Sequence, residues 1–208
     1  MTIDRDARPA AGRDRGGRMV GDTSGTAPEG ARLRLTFDAF CATHEAAWTG
    51  FARTQVGSGR DAALVVAAMK DHLARNWAIG LRQEIPAAYA WRLLKEHIAG
   101  WLAAAGQTRP GLVRTAAFDT AVRHFRARDG LGLETVPEQL GLLGAILDLP
   151  ERQHDVVILK YCLDLDDESI AAYLGTPLAT LRSSLRHARR RLVHTLGRPG
   201  LAELGAGQ

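Results

Sequence analysis

Five arginines, Arg182, Arg186, Arg189, Arg190 and Arg191, fall between Leu178 and Leu196 with no acidic residue among them. A guanidinium is a planar fork of donors that fits phosphate oxygens and guanine edges, and it stays charged at any physiological pH. At about 100° per residue, Leu178, Leu181, Leu185, Ala188, Leu192 and Leu196 form one apolar stripe at steps of three and four. Thr180, Ser183, His187, Arg190 and Arg191 then fall on the opposite face, with Arg182 and Arg186 on its flank. Hydroxyls near a helix start can contact a nucleic-acid backbone or a base edge. A charge run is ordinarily just a solvated face, so its position among the neighbouring elements decides the reading.

Those elements are two further helices and two tight turns within 149–196. Pro150 suits the first turn of a helix, where its missing N–H costs nothing. Val156, Val157, Leu159, Lys160 and Tyr161 carry this mainly apolar helix until it fades at Leu163 and Asp164. Asp166 is a good N-cap for a second helix, with Asp167 and Glu168 favouring its positive end. Ile170, Ala171 and Leu174 give that helix an apolar stripe, and Gly175 suits the left-handed stop position. Thr176 is placed to cap the third helix, with Pro177 at its first position. So short a break between two helices reads as a helix-turn-helix, and the arginines lie on its second, groove-reading helix.

The run LPERQHDVVILKY, then DESIAAYLG, then ATLRSSLRHARRRL resembles the C-terminal DNA-binding domain of extracytoplasmic-function (ECF) sigma factors. Leu149, Pro150, Glu151, Arg152 and Gln153 match the opening of that family's pattern, and Ala188, Arg189, Arg190, Arg191 and Leu192 match its close. The family's Glu-Ile-Ala step stands here as Ser169, Ile170, Ala171, and its basic-Ser-Arg-Leu step as Arg182, Ser183, Ser184, Leu185. The resemblance implies a domain that binds the upstream (minus thirty-five) promoter element while docking on the flap of RNA polymerase. It implies a DNA-contacting set of Thr180, Arg182, Ser183, Ser184, Arg186, His187, Arg190 and Arg191.

Length and composition agree with an all-α protein of two small helical domains joined by a linker, the C-terminal one a helix-turn-helix. A chain of 208 residues accommodates two such domains, and its net charge of +4 favours a nucleic-acid partner weakly. Residues 1–32 mix Gly, Pro, Arg and Asp with little to bury, and read as a disordered tail. Residues 33–105 carry helical patterning throughout. Leu35, Phe37, Phe40, Cys41, His44, Ala47, Trp48 and Phe51 mark a first helix, which Gly57, Ser58 and Gly59 break. Asp61 then caps a second, through Ala63, Leu64, Val66, Ala67, Met69 and Leu73. Pro86 opens a third, with Tyr89, Leu93, Leu94, Ile98, Trp101 and Leu102 as its apolar face. Residues 106–137 read as a linker that includes one short helix over TAAFDTAVRHF, 138–197 as the C-terminal domain, opened by a short apolar helix from Gln139 to Leu149, and 198–208 as a flexible tail.

In the order of its helices the stretch 33–105 is similar to the ECF N-terminal domain, which grips the polymerase clamp and opens the downstream (minus ten) element. The likeness is divergent. DAALVVAAMKDHLARNW is nearly stripped of the acids expected there, and Lys95, Glu96, Gly100 and Trp101 stand where the family carries a more basic step. Trp77, Trp91 and Trp101 are candidates for stacking on a melted strand, although tryptophan at helical spacing usually belongs to a core.

Nothing in the sequence points to an enzyme. Cys41 and His44 have ligand-like spacing but no second pair nearby, so neither a metal nor another cofactor is expected. With two cysteines, no membrane-length apolar run and no signal-type apolar core at the start, a cytoplasmic protein is expected. The resemblance implies promoter DNA and the clamp and flap of core RNA polymerase as partners, and allows an anti-sigma factor. Two other readings fit the same residues: a sigma-like regulator that binds DNA without melting it, and a sigma mimic that engages an anti-sigma factor.

Overall fold

The computed structural model describes residues 26–107, 116–129 and 131–196. Of the expected disordered tail 1–32, residues 1–25 lie outside them, as does the whole of the expected flexible tail 198–208. The described residues are all helical in their regular structure, with α1 (Thr26–Val56), α2 (Gly59–Arg75), α3 (Trp77–Gly80) and α4 (Pro86–Ala104) forming an N-terminal bundle. The C-terminal group comprises α5 (Ala116–Asp129), α6 (Val136–Leu147), α7 (Glu151–Val157), a π-helical turn (Ile158–Cys162), α8 (Asp167–Leu174) and α9 (Leu178–Leu196). None of these helices is long and apolar enough to cross a membrane.

The bundle core is built from α1, α2 and α4. Trp48, Phe51 and Ala52 of α1 meet Val66, Met69 and Leu73 of α2 and Ala90, Trp91 and Leu94 of α4, all of them almost wholly removed from water. Four local expectations are corrected here. Helix α1 starts at Thr26, within the stretch whose composition suggested a tail, and Leu35 on it is exposed. Ser58 rather than Asp61 caps α2, because Ser58 holds the extended backbone of a cap and its hydroxyl accepts from the Asp61 N–H at 3.3 Å. The buried face of α2 is Ala62, Val65, Val66, Met69 and Leu73, while Ala63, Leu64 and Ala67 face out. With alanines and valines on several sides of α2, periodicity alone does not choose its face; contact with α1 and α4 does.

The stretch expected to be a linker, 106–137, holds one helix packed into the C-terminal group and the first two residues of another that otherwise lies where a short apolar helix was expected. Helix α5 buries Phe118, Ala121, Val122 and Phe125, and the Phe125 ring lies 4.9 Å from that of Tyr161 in the π-helical turn. Helix α6 begins at Val136 behind a capping box in which Thr135 and Glu138 satisfy each other's backbone N–H groups.

The two groups are not strung apart. Tyr173 of α8 is buried against the bundle, its ring 5.1 Å from Trp91 and its hydroxyl 2.9 Å from His44 Nδ1. Beside it, Lys95 of α4 donates to the buried Asp155 of α7 at 2.7 Å and also pairs with Glu151. The core of the bundle therefore runs on into that of the C-terminal group.

Candidate nucleic-acid interface

Helix α8 is set by local chemistry at both ends. Asp166 accepts from the Ser169 N–H at 2.7 Å and from its hydroxyl at 2.8 Å. The Ser169 backbone and side-chain donors hold the Asp166 carboxyl below its ordinary range. At the other end Gly175 adopts φ 57° and ψ 44°, the left-handed conformation of a helix stop. Its N–H and that of Thr176 bond back to the carbonyls of Ala172 and Ala171, at 3.3 and 3.0 Å, so the last carbonyls are satisfied. A Cβ at Gly175 would also stand 3.2 Å from the Ala88 Cβ on α4.

Helix α9 starts differently from the sequence expectation. The Pro177 carbonyl accepts from the Leu181 N–H at 3.0 Å, so Pro177 leads into the helix instead of occupying its first turn. Thr176 does not cap it through its side chain: the residue is buried and its hydroxyl has no partner among the described residues. Packing of Thr176 beneath the turn has overridden its capping preference.

The apolar stripe of α9 faces inward as expected, with Leu181, Ala188 and Leu192 fully buried and Leu178, Leu185 and Leu196 packed at its margins. The outer residues Thr180, Arg182, Arg186, His187, Arg190 and Arg191 are exposed, and Ser183 and Ser184 are half-buried. All eight candidate contact residues thus reach solvent on one helix, but they do not carry equal free charge. Arg182 lies 3.5 Å from Asp167, which also pairs with Lys160 at 2.8 Å. Hydrogen bonding from Lys160 first, and from Arg182 as well, holds the Asp167 carboxyl below the usual range. Arg189 is clamped by Asp129 of α5, which raises its pKa. Arg186, Arg190 and Arg191 make no ion pair among the described residues, so their guanidiniums are available.

Spacing on α9 could not show two neighbours of this face. Arg128 of α5 and Lys160 of the π-helical turn line a cleft of about 830 Å³ beside Arg182, Arg186 and Arg190. The basic run RHFRARD was the available signal for α5, yet its place on the C-terminal group follows only from the Phe125–Tyr161 packing. The candidate stacking residues Trp77 and Trp91 lie in the bundle core, as does Trp48. Trp77 gives its indole N–H to the Thr36 hydroxyl at 3.0 Å, and only Trp101 of the three candidates remains half-exposed.

Cys41 and Cys162 are buried free thiols. Burial pushes the Cys162 thiol up to about 12, leaving it protonated and unreactive at neutral pH. Among the described residues no group of three His, Cys, Asp or Glu side chains is placed to hold a metal. What the surface offers is a row of charged forks on a rigid helix, suited to binding an anionic polymer.

No curated protein matches the chain. Residues 139–192, which span most of α6 and run to Leu192 of α9, match the family model for Sigma-70, region 4. This C-terminal segment is therefore similar to a DNA-binding helix-turn-helix of the sigma-70 transcription factors.

Proposed function

We propose that this protein is a cytoplasmic sigma factor of the ECF type that directs RNA polymerase to specific promoters. Helix α9 enters the major groove of the upstream element, with Thr180, Ser183, Ser184 and His187 toward base edges and Arg182, Arg186, Arg190 and Arg191 toward phosphates and guanines. The N-terminal bundle holds core polymerase. The observation that carries this reading is the row of exposed arginines, Arg186, Arg190 and Arg191, without an ion pair among the described residues, on the second helix of a turn lying inside the sigma-70 region 4 match.

The test is run-off transcription with core RNA polymerase, this protein and a library of promoter fragments. Specific initiation supports the sigma reading; its absence, with retained shifting of promoter DNA, supports the regulator. Burial of Trp77 and Trp91 favours that second reading, because neither ring is available to stack on an unpaired base.

A further inference from the structure

The geometry points to helix α5 as a second DNA-binding element, whose Arg128 holds a phosphodiester strand in the cleft between α5 and α9. This inference rests on the reading of α9 as the groove-reading helix and extends the interface into the stretch that sequence assigned to the linker.

Charge selects the kind of occupant. Six Lys or Arg side chains and two carboxylates line the cleft. Both carboxylates are engaged within the protein, Asp129 by Arg189 and Asp167 by Lys160 and Arg182. Arg128, Arg186 and Arg190 are exposed and make no ion pair among the described residues. Three unused guanidiniums on two walls suit a chain of regularly spaced monoanions.

Position selects DNA over another polyanion. A helix seated in the major groove has a phosphate strand along each flank. Arg186 and Arg190 stand at the edge where the outward face of α9 turns into the cleft, so one of those strands is led toward α5. The opposite wall is fixed in place. Phe125 is buried against Tyr161, and Asp129, the residue after Arg128, is clamped to Arg189. Arg128 is thereby held opposite α9 instead of swinging on a free linker.

The experiment uses the full chain and a mixed-sequence DNA duplex longer than its footprint, with affinity measured across a range of salt. Arg128→Ala is expected to weaken binding severalfold and to make the log–log salt dependence shallower by about 0.9, the signature of one lost phosphate contact. Arg123→Ala, on α5 but outside the lining of the cleft, is expected to leave both unchanged. Wild-type behaviour of Arg128→Ala alongside weakened Arg186→Ala would overturn the role of α5 while leaving the α9 reading intact. Equal losses in the Arg123 and Arg128 variants would reduce the effect to general charge and also overturn it. If neither Arg186→Ala nor Arg128→Ala alters DNA binding, both readings fail. Loss of poly-glutamate binding by Arg128→Ala with full DNA affinity would assign the cleft to an acidic polypeptide instead.

Discussion

Gly175 joins two demands at one residue: a backbone in the left-handed region and a close approach of α4 through Ala88. Gly175→Ala meets both, with about 1–2 kcal/mol for the left-handed backbone alone and crowding against Ala88 in addition. A lowering of the melting temperature by several degrees is expected in a thermal scan. The acidic caps of α8 give a pH dependence whose sign follows from their direction. Asp166 and Asp167 both have folded-state carboxyls held below their ordinary range. Their contribution is present above the unfolded value of about 3.9 and is lost as pH falls through the folded values. Stability should therefore drop on acidification below about pH 4, and Asp166→Asn should blunt the drop while costing less than about 1 kcal/mol at neutral pH. A denaturant series at several pH values reads both. At the proposed DNA face, Arg186→Ala and Arg190→Ala should each weaken duplex binding and flatten its salt dependence, whereas a variant of the clamped Arg189 should do so less. A salt slope unchanged in the first two variants would count against docking through α9.

Among the elements, α5 departs furthest from its expected role. A helix in a spacer would carry little of the fold's stability. Here Phe125 is 1 % exposed and packed on Tyr161, so Phe125→Ala is expected to cost about 3–5 kcal/mol as a large core truncation. An equilibrium unfolding curve indistinguishable from wild type would show that α5 is dispensable to the C-terminal group. Legibility at this scale divides by the range of the forces. The breaks at Gly57–Gly59, Pro86 and Gly175 and the Asp166 cap were readable because each acts through its own neighbours in sequence. The buried face of α2, the burial of Thr176 and the docking of α5 were not, since each depends on a partner distant in the chain.

For the molecule as a whole, the notable feature is that α8 leans on the N-terminal bundle, whereas α9 packs chiefly on α6, α7 and α8. Tyr173 and the Lys95–Asp155 pair form the seam, and the arginine face stays outward in the same arrangement. Lys95→Ala leaves a nearly buried carboxylate without its main partner, a change that costs about 3–5 kcal/mol when the site stays closed. The expected response is loosening of the seam, read as faster hydrogen exchange in α7 and α8 and a larger radius of gyration by small-angle scattering. Lys95→Met with Asp155→Leu, which removes both charges, should restore much of the compactness. If Lys95→Ala leaves exchange and dimensions unchanged, the pair does not hold the two groups together.

By itself the sequence determined most of the longer helices, though not α3 or the π-helical turn, together with the turn between α8 and α9 and the identity of the helix that carries the arginines. The Asp166 cap, the left-handed stop at Gly175 and the 3.6-residue stripe of α9 act over a few residues and are written in residue order. Which arginines keep their charge free was decided only by tertiary structure. Asp129 reaches Arg189 from sixty residues upstream, and Asp167 meets Arg182 only because α8 and α9 cross at the turn. The same long-range packing put Trp77 and Trp91 inside, brought Arg128 alongside α9 and laid α8 against α4. Burial and ion pairing depend on what folding brings near, and spacing along one helix does not contain that information.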